Sequence, residues 1–371
     1  MSDSKLPTLP ELRVQIDALD QELQALIAKR AGIAEQVASV KLAELIESGG
    51  SESDVEFYRP EREAQVLSRV MERNQGPLDD AVMAHIFREI ISACLALEKP
   101  TDVAFFGPQG TYTHQAALKH FGQSAMVSAY PSISAVFTQV ENGLSKYGVV
   151  PVENSTEGMV THTLDNFAKS PLKICGEVQL RIHLQLLIGK DTDVSKLKAI
   201  CGHQQALAQC QTWLATHWPN VEHKAVSSNG AAAQMAASDP TVAAVASSMA
   251  AELYDLHCVS SNIEDRSDNA TRFLVVAEKD VPPSGDDKTS VIVATRNKPG
   301  ALFKLLEPFD REGVMLTRID TRPSPTEAWA YLFFIEFEGH QSNTTVTDIL
   351  RELEEHSVMV KVLGSYPRAL F

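Results

Sequence analysis

Ser267-Asp268-Asn269-Ala270-Thr271-Arg272-Phe273 places an amide, a hydroxyl and a guanidinium directly before the apolar run Leu274-Val275-Val276. Polar side chains at the end of a strand stand where α/β proteins receive ligands. A turn with an edge arginine would use the same residues, so this segment alone leaves both readings open. Gly107-Pro108-Gln109-Gly110, ahead of helical sequence at Thr113, offers backbone N–H groups to an anion. Val150-Pro151-Val152-Glu153-Asn154-Ser155 closes another apolar run on an acid, an amide and a hydroxyl. Asn154 and Ser155 read either as cleft groups or as the cap of a helix opening near Gly158. Glu153 reads as a proton relay or as a surface acid. In Cys201-Gly202-His203-Gln204-Gln205-Ala206-Leu207-Ala208-Gln209-Cys210, Gln205 and Gln209 lie one helical turn apart and would share a face. His203 suits a helix start, and Ser228-Asn229-Gly230 is a helix entry that holds an anion or merely caps.

A second set of charges lies on helical sequence. Leu12, Ile16, Leu19, Leu23, Leu26, Ile33, Val37 and Val40 recur at three- and four-residue steps, and Arg30 stands where that stripe calls for an apolar residue. Lys41, eleven residues on, falls within about 20° of the same face. Cations at a seam either snorkel outward or meet anions, and Glu63, Glu98 or a bound dianion would serve. Arg13 lies about 100° round the helix from Arg30, so it points towards a neighbour.

The elements that must position these groups fall into three blocks, at 1–98, 101–281 and 287–371. The first is all helix, broken at Gly49-Gly50-Ser51-Glu52-Ser53-Asp54 and at Asn74-Gln75-Gly76-Pro77, with Pro60 in the first turn of its second helix. Its third helix carries Val82, Ile86, Ile90, Cys94 and Leu97. Three helices of such unequal length bury little alone, and the long apolar seam invites a homodimer or higher homo-oligomer. The second block, after the Lys99-Pro100-Thr101 linker, alternates strand and helix, which predicts an α/β architecture, and the late return of the strand after Thr271 suits two lobes around a cleft. Its candidate strands begin at Val103, Tyr147, Leu184, Ala243 and Phe273. The third, after Pro282-Pro283-Ser284-Gly285-Asp286-Asp287, reads βαββαβ, a ferredoxin-like α+β unit.

The 371 residues suffice for two or three cores. Five scattered cysteines without Cys-x-x-Cys spacing predict reduced, mostly buried thiols, and eleven histidines without a His-Glu-x-x-His pattern predict no metal. A net charge of −15 argues against nucleic acid and means that an anionic substrate needs local basic clusters. No apolar run reaches the roughly 18 residues that span a bilayer, and the polar start does not read as a signal peptide. The cytoplasm is the expected compartment, with no membrane partner.

Asn269-Ala270-Thr271-Arg272-Phe273 resembles the Thr-Arg-Phe signature of prephenate dehydratases, and the Gly107 and Val150 segments resemble that family's first and second loops. The resemblance implies a two-lobed domain like periplasmic binding proteins. It names Thr271 as the residue closest to catalysis, with Thr111, Tyr112, Asn154, Ser155, Gln205, Gln209, Asn269, Arg272 and Phe273 around the substrate. Gln204 stands where the family usually has proline. Residues 8–98 are similar to helical chorismate mutases. The match carries over Arg13, Arg30, Lys41, Arg62, Glu63, Cys94 and Glu98 as substrate-binding, with Arg30, Lys41 and Glu98 nearest the chemistry. Arg59 replaces an aspartate of many members, and Glu98 a glutamine of some.

Asn297-Lys298-Pro299-Gly300-Ala301-Leu302 and Asp320-Thr321-Arg322-Pro323 resemble the effector motifs of ACT domains, implying Asn297, Gly300, Ala301, Leu302, Thr321 and Arg322 as an amino-acid site. Phe303, Asp320 and Thr321 replace the usual valine, glutamate and serine. Together the chain resembles bifunctional chorismate mutase–prephenate dehydratases, which implies chorismate and prephenate as substrates, phenylalanine as inhibitor and no cofactor. A dehydratase whose helices serve only to dimerise, or a non-enzymatic amino-acid-binding regulator, are the alternatives.

Overall fold

The computed structural model describes residues 7–50, 57–295, 298–323 and 331–369. Part of the expected Gly49–Asp54 break and the expected effector residue Asn297 fall outside them. Helix α1 (Leu9–Glu47) opens with the Glu11 carboxylate accepting from the Thr8 N–H at 2.7 Å. It buries no residue. From Leu9 to Lys29 every position is exposed, including the apolar stripe. Helices α2 (Pro60–Arg73) and α3 (Asp80–Glu98) pack together through Leu67, Val70, Ala84 and Cys94, and α3 also supports the second half of α1.

The helical block is seated on the next domain rather than tethered to it. Tyr58 is buried in the core of that domain, and its hydroxyl lies 3.0 Å from His120 Nε2. Arg88 pairs with Glu63 at 3.3 Å and donates to the Lys119 carbonyl at 3.2 Å.

The first lobe of the α/β domain contains β1 (Asp102–Phe106), β2 (Met126–Tyr130), β3 (Tyr147–Asn154), β4 (Gly158–Met159) and β5 (Lys173–Arg181). Between them lie α4 (Tyr112–Phe121), α5 (Ile133–Glu141) and α6 (Thr161–Lys169). The second lobe has β6 (Gln185–Ile188), β7 (Ala199–His203), β8 (Glu222–Val226), β9 (Val242–Ala246) and β10 (His257–Ser260). Its helices are α7 (Gln204–Gln209), α8 (Gln211–His217), α9 (Asn229–Ser238) and α10 (Ser248–Leu253). The chain then returns as β11 (Ala270–Ala277), antiparallel between β3 and β5, giving sheet orders β2-β1-β3-β11-β5 and β10-β6-β9-β7-β8. Strands β2 and β8, absent from the expected set, are exposed sheet edges; β8 is polar in sequence, whereas β2 reads Met126-Val127-Ser128-Ala129-Tyr130.

The helix expected to open near Gly158 begins instead at Thr161, after the short strand β4. Gly158 has φ 83°, outside the helical region. Asn154 Oδ1 accepts from the N–H groups of Thr156 and Glu157 at 2.9 and 3.3 Å, a local turn rather than a helix cap.

The last block is β12 (Asp287–Thr295), α11 (Ala301–Arg311), β13 (Leu316–Pro323), β14 (Tyr331–Glu338), α12 (Thr344–His356) and β15 (Met359–Pro367). This is the expected βαββαβ order, with sheet order β13-β14-β12-β15. One sheet face packs on α11 and α12 through Val291, Val293, Ile335 and Phe337. The other shares a core with the α/β domain, where Ile292, Phe334, Leu363 and Tyr366 meet Phe167, Ile174, Leu274 and Val276. Gly364, at φ 144°, permits this contact, since a Cβ there would sit 2.4 Å from the Ile174 carbonyl oxygen. No described helix is long and apolar enough to cross a membrane.

Candidate active sites

Strand β11 explains most of the first site. Side chains alternate across a strand, so Thr271 and Phe273 share one face while Arg272 and Leu274 share the other. Thr271 lies opposite Asn154 of β3, whose Nδ2 donates to Thr271 Oγ1 at 2.9 Å and to Asn269 Oδ1 at 3.1 Å. Ser155 Oγ accepts from the Ala270 N–H at 2.9 Å. Asn269, only 3% exposed, donates from Nδ2 to Gln209 Oε1 of α7 at 2.8 Å. Gln205 Nε2 bonds Glu157. Residues from both lobes therefore converge on Thr271, by way of a hydrogen-bonded chain of amides and hydroxyls.

The lobes also meet at the first glycine loop. A Cβ on Gly230 would come within 2.8 Å of the Gln109 carbonyl, and Ser247 Oγ donates to the Gly110 carbonyl at 3.2 Å. Ser228 caps α9 by accepting from the Ala231 N–H at 3.0 Å, and His203 caps α7 by accepting from the Gln205 N–H at 3.4 Å. Thr111 caps α4, accepting from the His114 N–H at 3.4 Å. The Tyr112 hydroxyl donates to the His183 carbonyl at 2.8 Å, across the junction of the lobes.

Two expected substrate ligands are elsewhere. Phe273 is 1% exposed and packed in the core beneath Thr271, as its place two residues further along a buried strand requires. Arg272 points away from the cleft. Its Nε donates to Glu177 Oε2 at 2.8 Å and its Nη1 to Glu336 Oε1 at 3.0 Å. Burial disfavours its charge, but Tyr366, Glu336 and Glu177 hold its pKa above the ordinary value. Glu153, opposite Arg272, pairs with Arg318 of β13. Glu177, Glu336 and Arg318 had no signal of their own in the sequence, although period-two alternation after Thr271 was enough to turn Arg272 to the far face. A cavity of about 360 Å³ lined by Glu153, Glu177, Arg272, Lys288, Arg318 and Glu336 lies on that side.

The helical block gathers some of its expected residues. Glu98, half-buried on α3, feels both Lys41 and Arg30 of α1; burial raises its pKa and those cations only partly oppose it. Lys41 Nζ stands 5.6 Å from the centre of the Phe57 ring. Cys94, one turn before Glu98, is buried. Glu63 is not in this group, because its partner is Arg88 at the seat on the α/β domain. Burial there outweighs Arg88 and lifts its carboxyl to about 7. Arg62 is exposed. Arg13 is exposed too, and about 26 Å along α1 from Arg30 at 1.5 Å per residue, so one copy of the chain does not bring them together.

In the last block, Gly300 adopts φ 78° as the N-cap of α11, followed by Ala301 and the 44% exposed Leu302. Thr321 is exposed, and Arg322 Nη2 pairs with Asp165 of α6 at 3.0 Å, so this arginine is held by the α/β domain. Among the described residues no group of three or more His, Cys, Asp or Glu is placed to hold a metal ion.

Comparison with known proteins finds three families in succession along the chain. Residues 12–99 match the chorismate mutase type II family, 103–281 the prephenate dehydratase family and 289–355 the ACT domain family. The chain is 52% identical over 362 residues to a bifunctional chorismate mutase/prephenate dehydratase of Pseudomonas aeruginosa, covering 98% of each protein. It is 43% identical over 366 residues to the protein of that name from Aquifex aeolicus, again covering 98% of each. Among solved structures, prephenate dehydratase in complex with L-Phe from Arthrobacter aurescens is similar at 34% identity and a TM-score of 0.67, over 72% of this chain and 90% of that one. Three family matches in order and relatives aligned end to end lead to one assignment: the chain belongs to the bifunctional chorismate mutase/prephenate dehydratases.

Proposed function

We propose that the dehydratase reaction is carried by the Asn154–Thr271 pair. Prephenate loses CO₂ and its ring hydroxyl together, and aromatisation supplies the driving force. The step needs a donor where hydroxide departs. Because Thr271 Oγ1 already accepts from Asn154, its own proton is left to donate to a third group. A threonine is too weak an acid to surrender that proton outright, so it acts as a positioned hydrogen bond or shuttle. The 2.9 Å contact from Asn154 is the observation on which this reading stands.

The mutase reaction needs neither nucleophile nor base. Arg30 and Lys41 bind substrate carboxylate, and Glu98 in its acid form donates to the ether oxygen as charge builds there. The exposed α1 stripe supports assembly of two copies, with Arg13 of one completing the site of the other. The exposed apolar face at Leu302 and Phe303, beside the helix start at Ala301, supports an amino-acid pocket formed between two C-terminal domains. The L-Phe complex of the Arthrobacter aurescens protein supports phenylalanine as its ligand and feedback inhibitor.

Thr271→Ala is expected to lower dehydratase turnover by roughly 10²–10⁴-fold, the usual worth of such a donor, while mutase rates stay within a few-fold. Parallel assays with prephenate and chorismate measure both. Equal loss of both activities in a folded variant would refute the assignment.

Glu98 donates only while protonated. Its raised pKa extends that state upward in pH, and mutase turnover should fall as pH rises through it. A pH–rate profile of Glu98→Gln should be flatter than the parent's; an unchanged profile argues that Glu98 takes no part.

Chains inactivated by Arg13→Ala and by Arg30→Ala, mixed and reassembled, are expected to recover part of their mutase activity. Absence of recovery, with subunit exchange demonstrated by mass spectrometry, would mean that each site belongs to one chain.

Leu302→Ala should raise the phenylalanine concentration needed for inhibition by about tenfold, the worth of roughly 1.4 kcal/mol of lost apolar contact. Uninhibited turnover should be spared. Inhibition of unchanged potency would put the effector elsewhere.

A further inference from the structure

Thr271 and Arg272 are neighbours in sequence with different surroundings. Thr271 meets Asn154 on the cleft side, whereas the Arg272 guanidinium is enclosed on the opposite side, its side chain 11% exposed. All three of its nitrogens are engaged. Nε holds Glu177 of β5, Nη1 holds Glu336 of β14, and Nη2 lies 2.8 Å from Glu336 Oε2 and 3.2 Å from the Tyr366 hydroxyl of β15. The Glu177 carboxylate is completed by Lys288 of β12 at 2.9 Å and by the Ala369 N–H at 3.0 Å. Beside Arg272, Glu153 is taken by Arg318 of β13. Each of the four strands of the C-terminal sheet thus contributes a side chain to the back of the β3–β11 pair whose front carries Asn154 and Thr271.

We propose that Arg272 is a positioning residue rather than a ligand of the substrate carboxylates, and that it fixes the placement of Thr271 through the C-terminal domain. Adjacent Cα atoms are 3.8 Å apart on a stiff, doubly paired strand, so a shift at Arg272 is a shift at Thr271. A hydrogen-bond donor misplaced by a fraction of an ångström loses much of its effect on a leaving group. The far-side ion cluster therefore gives the C-terminal domain a direct hold on turnover, independent of substrate affinity. This deepens the reading of Thr271 as the donor and rests on it.

The test uses the full-length protein with Glu336→Gln, Arg272→Lys and the double variant. Glu336 belongs to the C-terminal sheet, on the far side from the Asn154–Thr271 contact, so its effect on turnover has to travel through Arg272. Each single change is expected to lower dehydratase kcat by about tenfold with KM within about twofold, and the double to be no worse than the weaker single. Mutase turnover and circular dichroism verify folding; where Arg272→Lys fails to fold, Glu336→Gln alone decides. A large KM increase confined to Arg272→Lys, with Glu336→Gln like the parent, would make Arg272 a substrate ligand and overturn the proposal. Losses in kcat that simply add would also overturn it, because independent sites add. Failure of the Thr271 reading appears separately, as retained turnover in Thr271→Ala.

Discussion

The antiparallel return of β11 between β3 and β5 is the constraint from which the dehydratase site follows. The strand leaves the second lobe and re-enters the first, so its beginning lies at the junction of the two. Backbone pairing on both edges fixes the register, and pleating then gives each residue one of two sides. Thr271 is set against Asn154 and Asn269, and beyond them Gln209 of the other lobe. Arg272 is set against the C-terminal sheet by the same rule. A slip of one residue would exchange the two, burying a hydroxyl in an ion cluster, leaving Glu177 to Lys288 alone and taking from Glu336 its cation. A buried carboxylate that loses its cation in this way costs several kcal/mol, so the register is strongly enforced.

Charge is arranged locally against the overall field. The net −15 repels anionic substrates, yet Arg30 and Lys41 stand together near Glu98. An acid beside two cations would ordinarily ionise more readily; burial reverses this for Glu98. Glu63 shows the same competition, with burial prevailing over the attraction of Arg88. The two acids nonetheless serve different surroundings, one facing α1 and the other the seat of the helices on the α/β domain.

The domains are less separate than their linkers suggest. Tyr58 enters the core of the α/β domain, and the C-terminal sheet shares a second core with it through Phe334, Leu363 and Tyr366. Apolar burial of this kind is non-directional and holds the blocks together, while the ion pairs at Glu153, Asp165 and Glu177 fix their orientation. By contrast, the exposed half of α1 has apolar side chains with nothing among the described residues to cover them.

Local sequence was enough for the succession of helical, α/β and βαββαβ blocks, the helix entry at Ser228 and the Arg30–Lys41 face, because each depends on periodicity or backbone preference within a few residues. The family resemblance was needed to single out Thr271 and Asn154, since a threonine and an asparagine at strand ends have no distinctive pattern. Exposed edge strands such as β2 and β8 stayed hidden because their pairing partners, not their composition, make them strands. Arg272 and Phe273 were read with Thr271 as one motif, whereas the pleat separates the arginine from its neighbours and burial removes the phenylalanine from the cleft. Glu63 was assigned to the α1 cations, but helix packing delivered it to Arg88. What a residue is, and for most of the chain which kind of element carries it, was determined by the sequence alone; which charge it meets was decided by tertiary packing, because the partners of Glu63, Glu177 and Glu336 lie 25, 95 and 64 residues away along the chain.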